Sequence, residues 1–406
     1  MTPMPKYPLS GVRILDFSTQ MACPYGATLL ALMGAEVIKV ESRRYLDSGR
    51  RPPSRSVDPK VINMVPRFND NNLGKLSITV DLTNPDAREI VNGLLRIADV
   101  AMANMRPGKM DKLGLGYADM RREKPDIIML SLSSMGNQGP ERQYAGYAAI
   151  FAALSGLSDA TGYVGGIPTE GRATIDATAA TTVAFAVAAA LYHRKQTGEG
   201  QHINLSARES VGALLGEMYL DYAMNGRNPT RKGNEDDVMA PHNVYPCVDK
   251  ESWVSIAVGS EREWQAFCRV LGRPEWITDA RFADPHVRWK NRAALDSAVA
   301  EWTRTRKPYD VMHALQNAGV AALPSMSSKD LFTDPHSQSR GIYKEFQHKA
   351  LGKRTVIGPQ WKLSATSLDT AKPAPLFGEH NELVFEELLG MRRETVQEKE
   401  QSKAIY

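Results

Sequence analysis

The chain has 406 residues, 42% hydrophobic and 24% charged, with a formal net charge of +4. This is enough chain for two domains with their own cores, and the composition excludes a disordered protein. The basic residues are dispersed, which argues against a nucleic-acid partner, and Cys23, Cys247 and Cys268 lack the spacing of a zinc site or a disulfide framework.

Such cysteine usage points to a reducing, cytoplasmic compartment. The first ten residues carry no apolar run of the kind found in signal peptides, so neither a leader nor a membrane partner is expected.

Gly11 to Phe17 reads as a short strand, Pro24 to Met33 as an apolar helix stopped at Gly34, and Ala35 to Glu41 as the next strand. This βαβ opening has the outline of a dinucleotide-binding unit, with Glu41 where a ribose-binding acid would stand. The turn from Ser18 to Gly26 lacks G-x-G-x-x-G, so a backbone cradle for pyrophosphate, and with it a redox dehydrogenase, is unsupported.

Residues 42–66, rich in Arg, Ser and Pro, are predicted as a loop beside the ligand. An alternating strand follows from Asn71 to Leu82, then a helix opened by Asn84-Pro85-Asp86 and running to Ile97, and a strand from Ala98 to Asn104. Pro125 to Ser134 is a further apolar strand, running into the turn of Gly136, Gly139 and Pro140.

From Ala177 to Leu191 every residue is Ala, Thr, Val, Phe or Leu. That pattern predicts a helix packed by neighbours on all sides, too short to span a bilayer, and ending in the cationic turn Tyr192 to Lys195 before Gly198 and Gly200. Asp176 is the one charged residue between Arg172 and His193. As an N-cap it would contribute about 0.5–2 kcal/mol of helix stability.

Strands alternating with helices to about Ser206 predict a doubly wound α/β domain, its site formed by loops at the carboxyl ends of the strands. A helix from Glu209 to Met224 and a polar linker then end the pattern. The expected organisation is 1–225 as the first part of a large domain, 226–327 as a small α/β domain, and 328–406 returning to the large one.

These segments together resemble the family III CoA-transferases, which include enzymes for formate, oxalate and benzylsuccinate. The resemblance rests on Leu15-Asp16-Phe17, Pro24, and Gly34 to Glu41; on Asn104, Pro107-Gly108, Leu113-Gly114 and Tyr117; and on Ser133 to Pro140. It continues through Asp176 with its small-residue helix, Thr197-Gly198 and Gly200-Gln201, then Asp284-Pro285, Arg292, Trp302, Gly319 to Pro324, and Leu376 to His380.

Nearly the whole chain is covered. The resemblance implies a Rossmann-like large domain built from N- and C-terminal parts, a small α/β domain and an interlocked dimer. It makes Asp176 the nucleophile, with no permanently bound cofactor and a coenzyme A thioester as co-substrate. CoA-contacting positions carried over by the resemblance fall on Gln20, Met21, Arg43, Val80, Asn104, Met105, Arg106, Lys112 and Met135. Of these, Arg43, Arg106 and Lys112 have the charge to pair with nucleotide phosphates.

Two departures narrow the expectation. Gly233 to Pro241 lacks the glycine run that closes over the intermediate in formate- and oxalate-handling members, which argues against formyl-CoA. Gly146-Tyr147-Ala148 stands where the related racemases carry a Gly-His-Asp segment, so proton abstraction lacks one of its two bases. The expected reaction moves CoA from succinyl-CoA to an aryl- or alkylsuccinate-type acid, in a homodimer or beside a related subunit. A partner-dependent, non-catalytic subunit and a 2-methylacyl-CoA racemase are the alternatives.

Overall fold

The computed structural model describes residues 6–169, 171, 174–228, 230–368 and 372–406. Arg172, at the head of the small-residue stretch, lies outside them. The chain divides into two units, one of Met1–Ser158, Glu170–Arg227 and Arg340–Tyr406, the other of Asp159–Thr169 and Asn228–Ser339.

In the first unit, β1 (Arg13–Asp16), β2 (Glu36–Glu41), β3 (Leu76–Thr79), β4 (Val100–Ala103), β5 (Ile128–Ser133) and β6 (His202–Ser206) form one parallel sheet. Their order is β3-β2-β1-β4-β5-β6. Successive connections leave β1 and β4 in opposite directions, which opens a crevice at the carboxyl ends of these two strands.

Because side chains alternate along a strand, each strand feeds two cores. Ile14, Val37, Val100 and Ile128 pack on α1 (Ala22–Leu32) together with Leu29 and Leu30. Leu15, Ile38, Ala101 and Met129 face the other way, onto Ile90 and Leu94 of α2 (Arg88–Ile97). C-terminal residues Val384, Phe385 and Ile405 complete that second core. Burial on both faces explains why the strands read as near-continuous apolar runs.

After α3 (Ala148–Ser155), the small-residue helix is α4 (Thr174–Thr197), and it differs from expectation in three ways. It starts before Asp176, which therefore sits in the first turn and not at the N-cap. It buries one stripe, Ile175, Ala179, Ala180, Val183, Ala184, Val187 and Ala190, while Phe185 stays 75% exposed. At 24 residues it has the length and apolar composition of a membrane span, with its buried stripe seated on α1.

The predicted loop at 42–66 holds a turn of 3-10 helix (Ser48–Arg50) and a short helix (Pro59–Ile62). Pro66–Asn71 is helical too, which delays the expected strand to Leu76. The helix expected from Glu209 to Met224 is broken at Ala213–Leu215, between Ala207–Gly212 and Gly216–Asn225.

The second unit carries an antiparallel sheet of β7 (His242–Pro246), β8 (Trp253–Ala257) and β9 (Ala321–Pro324). Trp264, Phe267, Trp276 and Phe282 form its aromatic core. A further hairpin, β10 (Tyr343–His348) and β11 (Gly352–Ile357), belongs to the first unit.

Candidate active site

All but one of the sequence-predicted contact residues lie at or just beyond the carboxyl end of a strand: Gln20 and Met21 after β1, Arg43 after β2, Val80 after β3, Asn104, Met105 and Arg106 after β4, and Met135 after β5; Lys112 lies further along, at the end of the short helix Lys109–Lys112 that follows β4. A parallel sheet puts all these ends along one edge.

Asp176 reaches the same edge from outside the sheet. Near the other end of α4, Arg194 Nη2 is 2.7 Å from Asp99 Oδ1, and Asp99 immediately precedes β4. That ion pair pins the helix C-terminus at the amino ends of the strands. Eighteen residues at 1.5 Å each separate Asp176 from Arg194, about 27 Å, so the carboxylate stands level with or beyond the carboxyl ends.

The first-turn position puts Asp176 at the positive end of the helix dipole. Burial raises its carboxyl above the usual aspartate value, and the charge of Arg67 works in the opposite direction. A half-buried carboxylate with a raised pKa is a better base and nucleophile than a solvated one.

The turn after β1 is held from below by ions absent from the sequence expectations. Asp47 Oδ1 accepts from the backbone N–H of Gln20 at 3.0 Å and of Gly49 at 2.7 Å, while its Oδ2 lies 2.8 Å from Lys39 Nζ. Lys75 Nζ donates to Asp16 Oδ2, to the Pro24 carbonyl and to Asn72 Oδ1, each at 2.8 Å. All four charged side chains, Asp16, Lys39, Asp47 and Lys75, are out of contact with solvent. Burial would raise the carboxyl of Asp16, but Lys39 and Lys75 overcome it and bring the pKa down to about 2.

This network holds Gln20 at φ +76°, in the left-handed region that a side chain seldom adopts. Asn104 braces the turn from β4: its Oδ1 accepts from the Thr19 N–H at 2.8 Å and its Nδ2 donates to the Thr19 carbonyl at 2.7 Å. Gln20, Met21 and Asn104 are thus brought together at the crevice between β1 and β4. Glu41 is no ribose ligand in this arrangement, because Arg50 Nε contacts both its oxygens at 3.0–3.1 Å in a buried pair.

Val80 and Met105 meet in the wall of a cavity of about 230 Å³, beyond β2 and β3. Arg43 is exposed and lies over the ring of Tyr406, 5.4 Å from its centroid. Arg106 and Lys112 are exposed, and Met135 is buried behind the β5 turn. The Lys residues inside β2 and before β3 were the sequence signal for the buried network, since a charge in an apolar strand needs a partner.

The chain belongs to the family III CoA-transferases: the sequence model of that family matches residues 9–381. It is 32% identical over 395 residues to a succinyl-CoA–D-citramalate CoA-transferase of Chloroflexus aurantiacus, covering 95% of each chain. A succinate–glutarate CoA-transferase of Agrobacterium fabrum is 32% identical over 403 residues, covering 97% of this chain and 99% of the relative. The fold is that of a solved CaiB/BaiF family protein from Brucella suis, with a TM-score of 0.85, 30% identity, and coverage of 95% of this chain and 100% of that one. The protein is therefore a CoA-transferase with an acyl-CoA as co-substrate.

Proposed function

We propose that this chain transfers CoA from succinyl-CoA to a dicarboxylic acid, with Asp176 as nucleophile. The observation that carries the reading is a half-buried carboxylate of raised pKa in the first turn of α4, at the edge of the sheet where the strand-end loops gather. Relatives named for citramalate and glutarate support the dicarboxylate class. An alkyl- or arylsuccinate is the narrower acceptor within it.

The Asp176 carboxylate attacks the succinyl thioester carbonyl, the C–S bond breaks, and CoA leaves as thiolate with a mixed anhydride in place. The thiolate attacks the aspartyl carbonyl and expels succinate, leaving an aspartyl-CoA thioester. The acceptor carboxylate attacks that thioester and displaces the thiolate, which then attacks the acceptor carbonyl and frees Asp176. Each step exchanges acyl groups of similar activation, so positioning and exclusion of water are the main demands on the protein.

The turn of Gln20 and Met21, with Asn104 bracing it, is the proposed seat of the thioester end of CoA. Val80 and Met105, together with Arg43, Arg106, Lys112 and Met135 along the same edge, take the rest of the nucleotide. The working form is a homodimer, interlocked in this reading. Helix Gly216–Asn225 supports it: no residue of that helix is buried, and it exposes Tyr219, Leu220, Tyr222 and Met224, an apolar surface suited to a second copy of the chain. The enzyme is placed in the cytoplasm, in keeping with three free cysteines, all buried.

The test is intact-mass analysis of the purified chain incubated with succinyl-CoA, trapped with hydroxylamine or borohydride, beside Asp176→Ala. Modification of Asp176 that is absent from the variant supports the mechanism. A wild-type chain that no donor modifies contradicts the reading of an enzyme active on its own.

A further inference from the structure

A dicarboxylic acyl group presents a second carboxylate some carbons beyond the reacting carbonyl, and desolvating it requires a cation. The strand-end residues described above supply none for that purpose. One short segment does.

Pro66–Asn71 is fastened to the floor of the site. Thr28 Oγ1 of α1 donates to the Asn71 carbonyl at 2.6 Å, Asn71 Nδ2 donates to the Gln20 carbonyl at 3.4 Å, and the Arg50 guanidinium lies 3.3 Å from the Phe68 ring centroid. Arg67 projects from this helix and is exposed; it makes no ion pair among the described residues. Its positive charge works against the rise that burial imposes on the Asp176 carboxyl, and its helix is tied to the Gln20 turn through Asn71.

Arg67 also lines a cavity of about 500 Å³ between its helix and the hairpin β10–β11, opposite Arg354. Arg354 spends Nη1 on the carbonyl of Lys353, at 2.7 Å, and otherwise faces no acid in an ion pair among the described residues. Met64 and Phe346 give the same cavity apolar walls suited to methylene groups. His348 accepts the N–H groups of Ala350 and Leu351 on Nδ1, at 3.1 Å each, so the ring is neutral with its proton on Nε2 and brings no charge to the cavity. Asp70 is the one acid among the residues lining this cavity; burial raises its carboxyl above the usual aspartate value.

We propose that Arg67 and Arg354 bind the distal carboxylate of the dicarboxylic donor and acceptor, making this cavity the specificity subsite of the transferase. The inference rests on the functional reading above and deepens it. Two guanidinium groups matching one carboxylate account for preference for a dicarboxylic over a monocarboxylic acyl group of equal length.

The experiment is calorimetric titration of free succinate and of butyrate into the wild-type chain and into Arg67→Gln, Arg67→Lys and Arg354→Gln, with melting curves for each. Succinate affinity is expected to fall about 10- to 100-fold in Arg67→Gln and Arg354→Gln and by less in Arg67→Lys, while butyrate binding stays unchanged. Wild-type protein that binds succinate no better than butyrate, or an Arg67→Gln variant that binds succinate as the wild type does, overturns the subsite. In parallel, adduct formation at Asp176 from succinyl-CoA and butyryl-CoA reports on the chemistry. Absence of any wild-type adduct counts against the transferase mechanism, whereas the titration decides the subsite independently.

Discussion

The chemistry proposed for Asp176 makes its protonation state measurable. Its raised pKa means that adduct formation from succinyl-CoA falls as pH drops through a value above the usual 3.8 of an aspartyl group. Arg67 opposes that rise, so Arg67→Gln is expected to move the acid limb to still higher pH, a shift that pH–rate profiles of wild type and variant would show. Asp176→Glu keeps the charge and moves it by about one carbon–carbon bond; a loss of about 100-fold in adduct formation is expected, because near-attack geometry is lost while the charge is retained. An Asp176→Glu rate equal to the wild type would mean the carboxylate is not the attacking group.

Lys39 makes a different kind of demand. Its ammonium is buried and fully charged, since Asp16 and Asp47 outweigh the cost of its burial. Lys39→Met leaves two buried carboxylates short of a cation and is expected to cost about 3–5 kcal/mol, read by denaturant unfolding. Asp47→Asn keeps an oxygen for the N–H groups of Gln20 and Gly49, so its loss should be smaller. A Lys39→Met variant as stable as the wild type would remove the network from any account of how the Gln20 turn is held.

At the scale of elements, the contact between α1 and α4 sets where the helix of Asp176 lies. A Cβ added to Gly26 would come within 2.6 Å of Val183 Cγ1 and 3.0 Å of the Ala180 carbonyl. Gly26→Ala therefore pushes the helices apart, with an expected cost of about 1–3 kcal/mol in thermal melts. Sequence made the strands and α1 legible because two-sided burial leaves apolar runs of distinctive length, and Asp176 stood out in it as the single acid at the head of a small-residue helix. The residues 42–66 were less so: Asp58-Pro59 and Val65-Pro66 open short helices whose burial depends on partners elsewhere. The exposed side of α4 was equally hidden, since a helix of Ala and Thr has too little contrast to show which face is buried.

For the molecule as a whole, the buried ions connect stability to acidity. Asp16 has a folded pKa of about 2 against 3.8 for the free group. Its contribution, about 2 kcal/mol, is complete above the ordinary value and is lost as pH falls from about 4 through about 2. Unfolding free energy measured across that window should decline more steeply in wild type than in Asp16→Asn, if the variant folds; Asp16→Ser with a compensating Lys75→Met offers a second comparison. Solution mass belongs to this scale too: light scattering should give twice the 44.8 kDa of the chain, and Tyr219→Lys with Leu220→Glu should shift it toward the monomer. A wild-type protein that remains monomeric at high concentration contradicts the proposed dimer.

The ion pair of Arg194 with Asp99 turns α4 into a measuring rod, clamped at one end and carrying Asp176 at the tip of the other. Each residue inserted between clamp and tip advances the tip by about 1.5 Å and swings it by about 100°. One extra alanine between Asp176 and Arg194 would thus swing the carboxylate out of its present direction without touching any side chain of the crevice, whereas the same insertion after Thr197 leaves clamp and tip in phase. If Asp176 is the nucleophile proposed above, the chain's length within this span is itself a catalytic parameter, and single-residue insertions and deletions there should be far more damaging to activity than substitutions on its exposed side.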